Sequence, residues 1–173
     1  GSKRRGADLR AAMLNQMRRL RELTREKSRP RVLLVIGTNP VMASGPGTVL
    51  DELLDCAGGA NAARQSPIRA PTFDREKLLT LQPDVIILTL PGATPLTTVQ
   101  NDDRLAEFRN LDVPAVRNNR IALINDPLVH VGGTNLPRIA AELARIIHPQ
   151  VSNEIDAIMS SSSDTPTTAP SQN

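Results

Sequence analysis

Three short, unbroken apolar runs constrain this chain more than any other feature: Val32-Leu33-Leu34-Val35-Ile36, Val85-Ile86-Ile87-Leu88 and Ile121-Ala122-Leu123-Ile124. Each is too short for a stable helix and lacks polar alternation, as expected of a strand buried on both faces. Such a sheet needs helices on both sides, and the intervening segments supply them. Val49 to Ala57 is helical and is stopped by Gly58-Gly59 as a C-terminal cap. Asp74 caps a helix from Arg75 to Leu81, and Pro83-Asp84 turns the chain into the second strand. Asp102 to Arg109 reads as a short helix. Pro137 opens a last helix reaching about Ile147, with Ile139, Leu143, Ile146 and Ile147 on its inner face. The expected fold is α/β: a single three-layer α/β/α lobe with a mostly parallel sheet over residues 30–150.

Charge divides the chain unevenly. Up to Arg31 it has eleven Lys or Arg against Asp8, Glu22 and Glu26, a balance of +8, and the remainder carries −5. Residues 7–29 read as a long basic helix in which Leu9, Met13, Met17, Leu20 and Leu23 recur at three- and four-residue spacing. Arg18, Arg19, Arg21 and Arg25 occupy its other faces. Residues 1–6 are expected to be a tag or disordered, since Gly1-Ser2 looks like an expression scar. Residues 151–159 are read as a helix end or linker. Residues 160–173, rich in Ser, Thr and Pro, are read as a disordered tail.

Several function classes find little support. Trp and Tyr are absent and Phe occurs twice, so a function built on aromatic stacking, nucleic-acid binding included, is not expected. No apolar run approaches the roughly 18 residues of a membrane span. The single cysteine, Cys56, allows no internal disulfide and sits in the helical pattern Leu50, Leu53, Leu54, Ala57, as a core thiol would. The loop after the first strand lacks the lysine of a P-loop and the spacing of a dinucleotide site. Catalysis has little to work with. His148 reads as a helix-end cap, Ser44 is not in a nucleophile elbow, and Asp51, Glu52 and Asp55 read as a solvated helix face. No enzyme activity and no cofactor are expected.

Taken in order, the motifs resemble the carboxy-terminal lobe of the periplasmic proteins that bind cobalamin, haem and ferric siderophores for ABC importers, with the cobalamin-binding branch most similar. The resemblance runs from Arg31 to Pro149. It rests on Gly37 with Asn39-Pro40, Ser44-Gly45, Cys56-Ala57-Gly58-Gly59 with Asn61, Asp74-Arg75-Glu76, Gln82-Pro83-Asp84-Val85-Ile86-Ile87, Val113-Pro114-Ala115-Val116, and Pro137-Arg138. It implies that the basic helix is the spine joining two lobes, with ligand held in the cleft between them. The chain resembles about half of such a protein. It is then a fragment, a half that pairs with a missing amino-terminal lobe or a homodimer partner, or a fold put to another use.

Two sets of site residues follow. An open α/β sheet presents ligand beyond its strand ends, which nominates the loops Thr38 to Gly45 and Asn125 to Asn135. Within them Thr38, Asn39, Pro40, Met42, Ser44, Asp126, His130 and Asn135 are the candidate ligand contacts, and His130 is also a candidate metal-ligating imidazole. The missing Trp and Tyr remove the flat apolar rings typical of corrinoid or haem sites. Glu76 stands where the family docks a glutamate into arginine pockets of the membrane permease, and an acid in a helix's first turn is also favoured by the macrodipole alone. The expected function is a periplasmic or extracytoplasmic solute-binding lobe for a small metal-chelate nutrient. The alternative is a ligand-free interaction module whose basic helix contacts a partner or a membrane surface.

Overall fold

A computed structural model describes residues 2–161. In chain order it contains α1 (Ser2–Thr24), β1 (Arg31–Thr38), β2 (Val41–Ala43), α2 (Val49–Cys56), β3 (Ala60–Asn61), β4 (Thr72–Phe73), α3 (Arg75–Leu81) and β5 (Val85–Thr89). A 3-10 turn at Asp103–Phe108, α4 (Pro114–Arg117), β6 (Ile121–Ile124), α5 (Leu136–Ile147), a 3-10 turn at Pro149–Val151 and α6 (Ser152–Ser160) follow. The three apolar runs are β1, β5 and β6, parallel neighbours at the centre and one edge of the sheet. Its order is β4-β2-β1-β5-β6, with β3 also pairing β1.

Alternation along β1 builds both cores. Val32 and Leu34 face α1, α2, α5 and α6, while Leu33 and Val35 face Leu78 of α3, Leu105, Phe108 and Ala115. All four strand residues are fully buried, so helices cover both faces. This is the expected three-layer α/β/α arrangement.

The differences lie in short elements and at boundaries. β2 runs antiparallel inside the stretch expected to be plain loop, pairing Thr38 with Val41 and Val35 with Ala43 across an irregularity at Gly37. Three residues are too few for a hydrophobic period to register. Helix α1 begins at Ser2, so residues 2–6 are helical, and their lysine and arginines are good helix formers. It ends at Thr24, ahead of Arg29-Pro30, where proline disfavours helical backbone in the preceding residue. Residues 151–159, expected to be a helix end or linker, hold most of α6, which buries Ile155 and Ile158 beside buried Val151 against the lobe. Of the expected tail, residues 162–173 lie outside the described residues.

Candidate functional site at the loop end of the sheet

The parallel strands end on one side of the lobe, and three loops leave from there. Two are the segments after β1 and β6. The third, residues 90–101 after β5, was not nominated from the sequence, although Pro91-Gly92 directly after an apolar run marked a turn at a strand end.

The second and third loops are laced together. The Leu90 amide donates to the Ile124 carbonyl (3.0 Å), Gly92 N to Asn125 O (2.8 Å), and the Asn125 side-chain amide to Ala93 O (2.9 Å). His130 reaches across to Thr89 O with Nε2 at 2.8 Å. A carbonyl only accepts, so that nitrogen carries the proton and the neutral ring keeps its lone pair on Nδ1. The residue is exposed, between the exposed side chains of Leu128 and Val131.

Other nominated residues hold the loops in shape. Asp126 is ion-paired with Arg138 and accepts from the Leu128 amide (2.8 Å). Buried Asn135 donates to Leu128 O (2.7 Å) and Val131 O (3.1 Å), closing the loop around His130. The 90–101 loop is tied down by Asp102. Its carboxylate takes the Thr97 amide (3.1 Å) and Arg104 Nη2 (2.6 Å), while Arg104 donates onward to Thr94 O (2.7 Å) and Pro95 O (3.0 Å). The Arg104 guanidinium holds the Asp102 carboxyl well below the usual carboxylate range.

Thr38, Asn39 and Pro40 form the turn at the tip of β1, where Asn39 and Pro40 are exposed and the peptide bond joining them is cis. Ser44 is not brought to this group. β2 has carried the chain back along β1 until the Ser44 amide bonds Leu34 O (2.8 Å), roughly 13 Å from Thr38 at 3.3 Å per residue. Its buried hydroxyl meets Thr48 Oγ1 at 2.6 Å and its carbonyl accepts from Asn61 (3.0 Å). Met42 is half-buried between Gly37 and Thr72 in the sheet. Glu76 does come to the loop end. Phe73 pairs with Val41, level with the β1 turn, and α3 starts immediately after it with Glu76 exposed in its first turn. Among the described residues no three His, Cys, Asp or Glu side chains cluster to hold a metal ion.

Helix α1 passes this end of the sheet. Met13, Leu14 and Met17 join Leu136, the first residue of α5, and Cys56 in lining a hollow of about 460 Å³ rimmed by Arg10, Arg18 and Arg21. Further along, Leu20 is buried and Thr24 meets the far end of the lobe near His148. The helix therefore runs from the loop end inward. Residues 3–12 continue the helix for about 15 Å at 1.5 Å per residue, and residues 3–11 are exposed along it.

Comparison with known proteins places these features. A family model described as periplasmic binding protein matches residues 1–128. The vitamin B12-binding protein of Salmonella choleraesuis (strain SC-B67) is 33% identical over 76 residues, 44% of this chain and 29% of the relative. Helicobacter pylori CeuE with Ni(II) bound superposes with a TM-score of 0.71 at 18% identity, over 95% of this chain and 53% of that one. The periplasmic heme-binding protein RhuT from Roseiflexus sp. RS-1 gives 0.65 at 26% identity, over 94% and 58%. The chain thus spans little more than half the length of these solved structures.

Proposed function

Since the chain belongs to the periplasmic binding protein family, we propose that it supplies one wall and the spine of a solute-binding cleft serving an ABC importer for a metal-chelate nutrient. The observation that carries this reading is that α1 is seated on the lobe through buried Leu20 and Thr24 and leaves residues 3–11 exposed. A long helix rooted on one lobe with an exposed outer stretch can carry a second wall, from a further lobe or another chain. The relatives' names bring cobalamin and haem forward as ligands, and a ferric siderophore is the third candidate.

In this reading Thr38, Asn39 and Pro40 face the ligand from one side and His130 from the other. His130 offers Nδ1 to the chelated metal, its other nitrogen being oriented by the Thr89 carbonyl as metal-ligating histidines commonly are. Met42, Asp126 and Asn135 support the contacts, and Ser44 acts only through the fold of the β1–α2 segment. Glu76, exposed at the same end, docks the permease. The protein works outside the cytoplasm and is not an enzyme.

Thermal unfolding of the chain with cyanocobalamin, haemin or a ferric siderophore tests the reading. A ligand at a hundredfold excess over its Kd adds about 2.7 kcal/mol. A shift with one of them that His130→Ala diminishes supports the assignment; no shift with any of them, even with an amino-terminal lobe of the family added, removes it. One observation favours the second reading, an interaction module. At about 100° per residue, Lys3, Arg10, Arg18 and Arg21 of α1 share an arc of about 80° with Leu14, all exposed. Binding of the chain to anionic vesicles, with no response to chelates, would establish that alternative.

A further inference from the structure

The far end of the lobe contains a buried titratable group that the ligand reading does not use. Three chain ends converge there: Thr24 closing α1, Gly58 just past α2, and His148 just past α5. The contact is tight. A Cβ built on Gly58 would lie 2.7 Å from Thr24 Cβ and 2.8 Å from His148 Nε2. Thr24 Oγ1 donates to Cys56 O (3.1 Å), the Cys56 thiol donates to Met17 O (3.2 Å), and His148 Nε2 donates to Gly58 O (3.3 Å). These bonds, with buried Leu20, seat α1 on the lobe.

Thr24 and His148 are each 1% exposed. The charges acting on the ring are all positive: Arg120, before β6, and Lys27 and Arg29, in the segment leaving α1. Arg120 also donates to Ile147 O (3.0 Å), at the end of α5. The carboxylate contributed by α2, Asp55, is already taken by Arg29 (2.6 Å) and Arg21 (3.6 Å). The remaining titratable neighbour, the Cys56 thiol, is pushed up by burial and stays neutral. A second proton on His148 would therefore arrive in a buried site with cations around it and, among the described residues, no free anion.

We infer that the seat of α1 is a proton-sensitive joint: protonation of His148 loosens α1 from the ends of α2 and α5. Burial holds the ring's pKa below its ordinary value of about 6.5. The unfolded or opened form therefore binds the proton more readily. The joint's full stability is present above about pH 6.5 and declines as pH falls from there toward the depressed folded value. This inference does not depend on the ligand proposed above. If α1 is the spine of a cleft, acid would slacken the attachment of one wall.

Hydrogen exchange of the full chain at pH 7.5, 6.0 and 5.0, corrected for intrinsic exchange rates, tests it. Protection of amides in 17–24 and 56–59 should fall at least tenfold from pH 7.5 to 5.0, while strands β1 and β5 hold theirs. In His148→Gln, which keeps a donor for Gly58 O but cannot titrate in this range, the loss should vanish. Lys27→Met removes a repelling charge and should move the midpoint upward. An unchanged response in His148→Gln, or wild-type protection that does not vary with pH, overturns the inference. Should that variant fail to fold, an NMR titration of the wild-type ring decides together with the wild-type exchange: a pKa at or above about 6.5 overturns the inference, and a lower one that coincides with the loss of protection in 17–24 and 56–59 upholds it.

Discussion

The two ends of the sheet are built from different materials. At the loop end, backbone segments are held by polar side chains: Asp102 with Arg104, Asp126 with Arg138, and Asn135 on two carbonyls. Leu128, His130 and Val131 are left exposed. At the far end, helix termini meet in near-dry contact, with Thr24, Gly58 and His148 all buried. Polar staples leave side chains free to meet a ligand, whereas packed termini hold a long helix in a fixed direction. The comparison predicts that far-end substitutions cost stability and leave the loops intact, and that loop-end substitutions do the reverse.

The largest effect should come from Gly58→Ala. Its φ of +81° is a left-handed conformation that alanine adopts at a cost, and the added methyl group meets Thr24 and His148 below van der Waals distance. Strain and overpacking together should remove about 2–5 kcal/mol, read as a lower urea midpoint at unchanged slope. Next comes α1 itself. Leu20 is 1% exposed and Leu14 64% exposed. Leu20→Ala should cost about 2–4 kcal/mol, and Leu14→Ala within about 0.5 kcal/mol. Equal costs in this chain would mean that the outer half of α1 is packed after all, erasing the contrast between its two halves.

How much of this was legible in the sequence differs between the same two ends. Apolar runs and helix caps were enough for β1, β5, β6, α2 and α3, because burial on both faces leaves few alternatives for Val32–Val35 or Val85–Leu88. The loop end was harder to read. Ser44 lay in a nominated loop, but β2, three residues long, carries it back along the sheet and buries it. Asp126 and Asn135 were nominated as ligand contacts and turn out to hold the loop that presents His130. Asp102 was read only as a helix boundary. Its bonds to Thr97 and Arg104 depend on the path of the 90–101 loop, which no periodicity describes. The far-end junction was invisible for another reason. Gly58 and His148 were each read as helix-end caps, and nothing local shows that both meet Thr24.

A smaller effect tests the polar staples. Asp102→Asn should cost about 1–3 kcal/mol, the range for breaking a charge-assisted hydrogen bond at a buried group, and should raise exchange in residues 94–101 first. The sign of the pH dependence follows from the lowered carboxyl pKa. A carboxylate whose folded pKa is depressed stabilises fully above its unfolded value of about 3.9 and loses that contribution as pH falls below it. The wild-type loop should therefore loosen below about pH 4, and the asparagine variant should show less of that acid sensitivity. This window lies below the one set by His148, so an acid titration should release the two ends of the lobe in sequence, the far end first.

The smallest stability effect, and the sharpest test of the comparison, belongs to His130→Ala. The ring is exposed and makes one hydrogen bond, to a carbonyl at the end of β5, so its loss should change stability by no more than about 0.5 kcal/mol. Asn135 and Asp126 keep the loop closed without it. If the loop end is built to leave this side chain free, the variant should unfold at nearly the wild-type urea concentration and lose its response to the chelate that the wild type binds. Asn135→Ala should instead weaken both, because it removes the side-chain donor to Val131 O and leaves Leu128 O with the Val131 amide (2.9 Å) in place of two donors, which lets the loop open. A His130→Ala chain as destabilised as the Asn135→Ala chain would place His130 among the staples and leave the loop end without an exposed metal ligand.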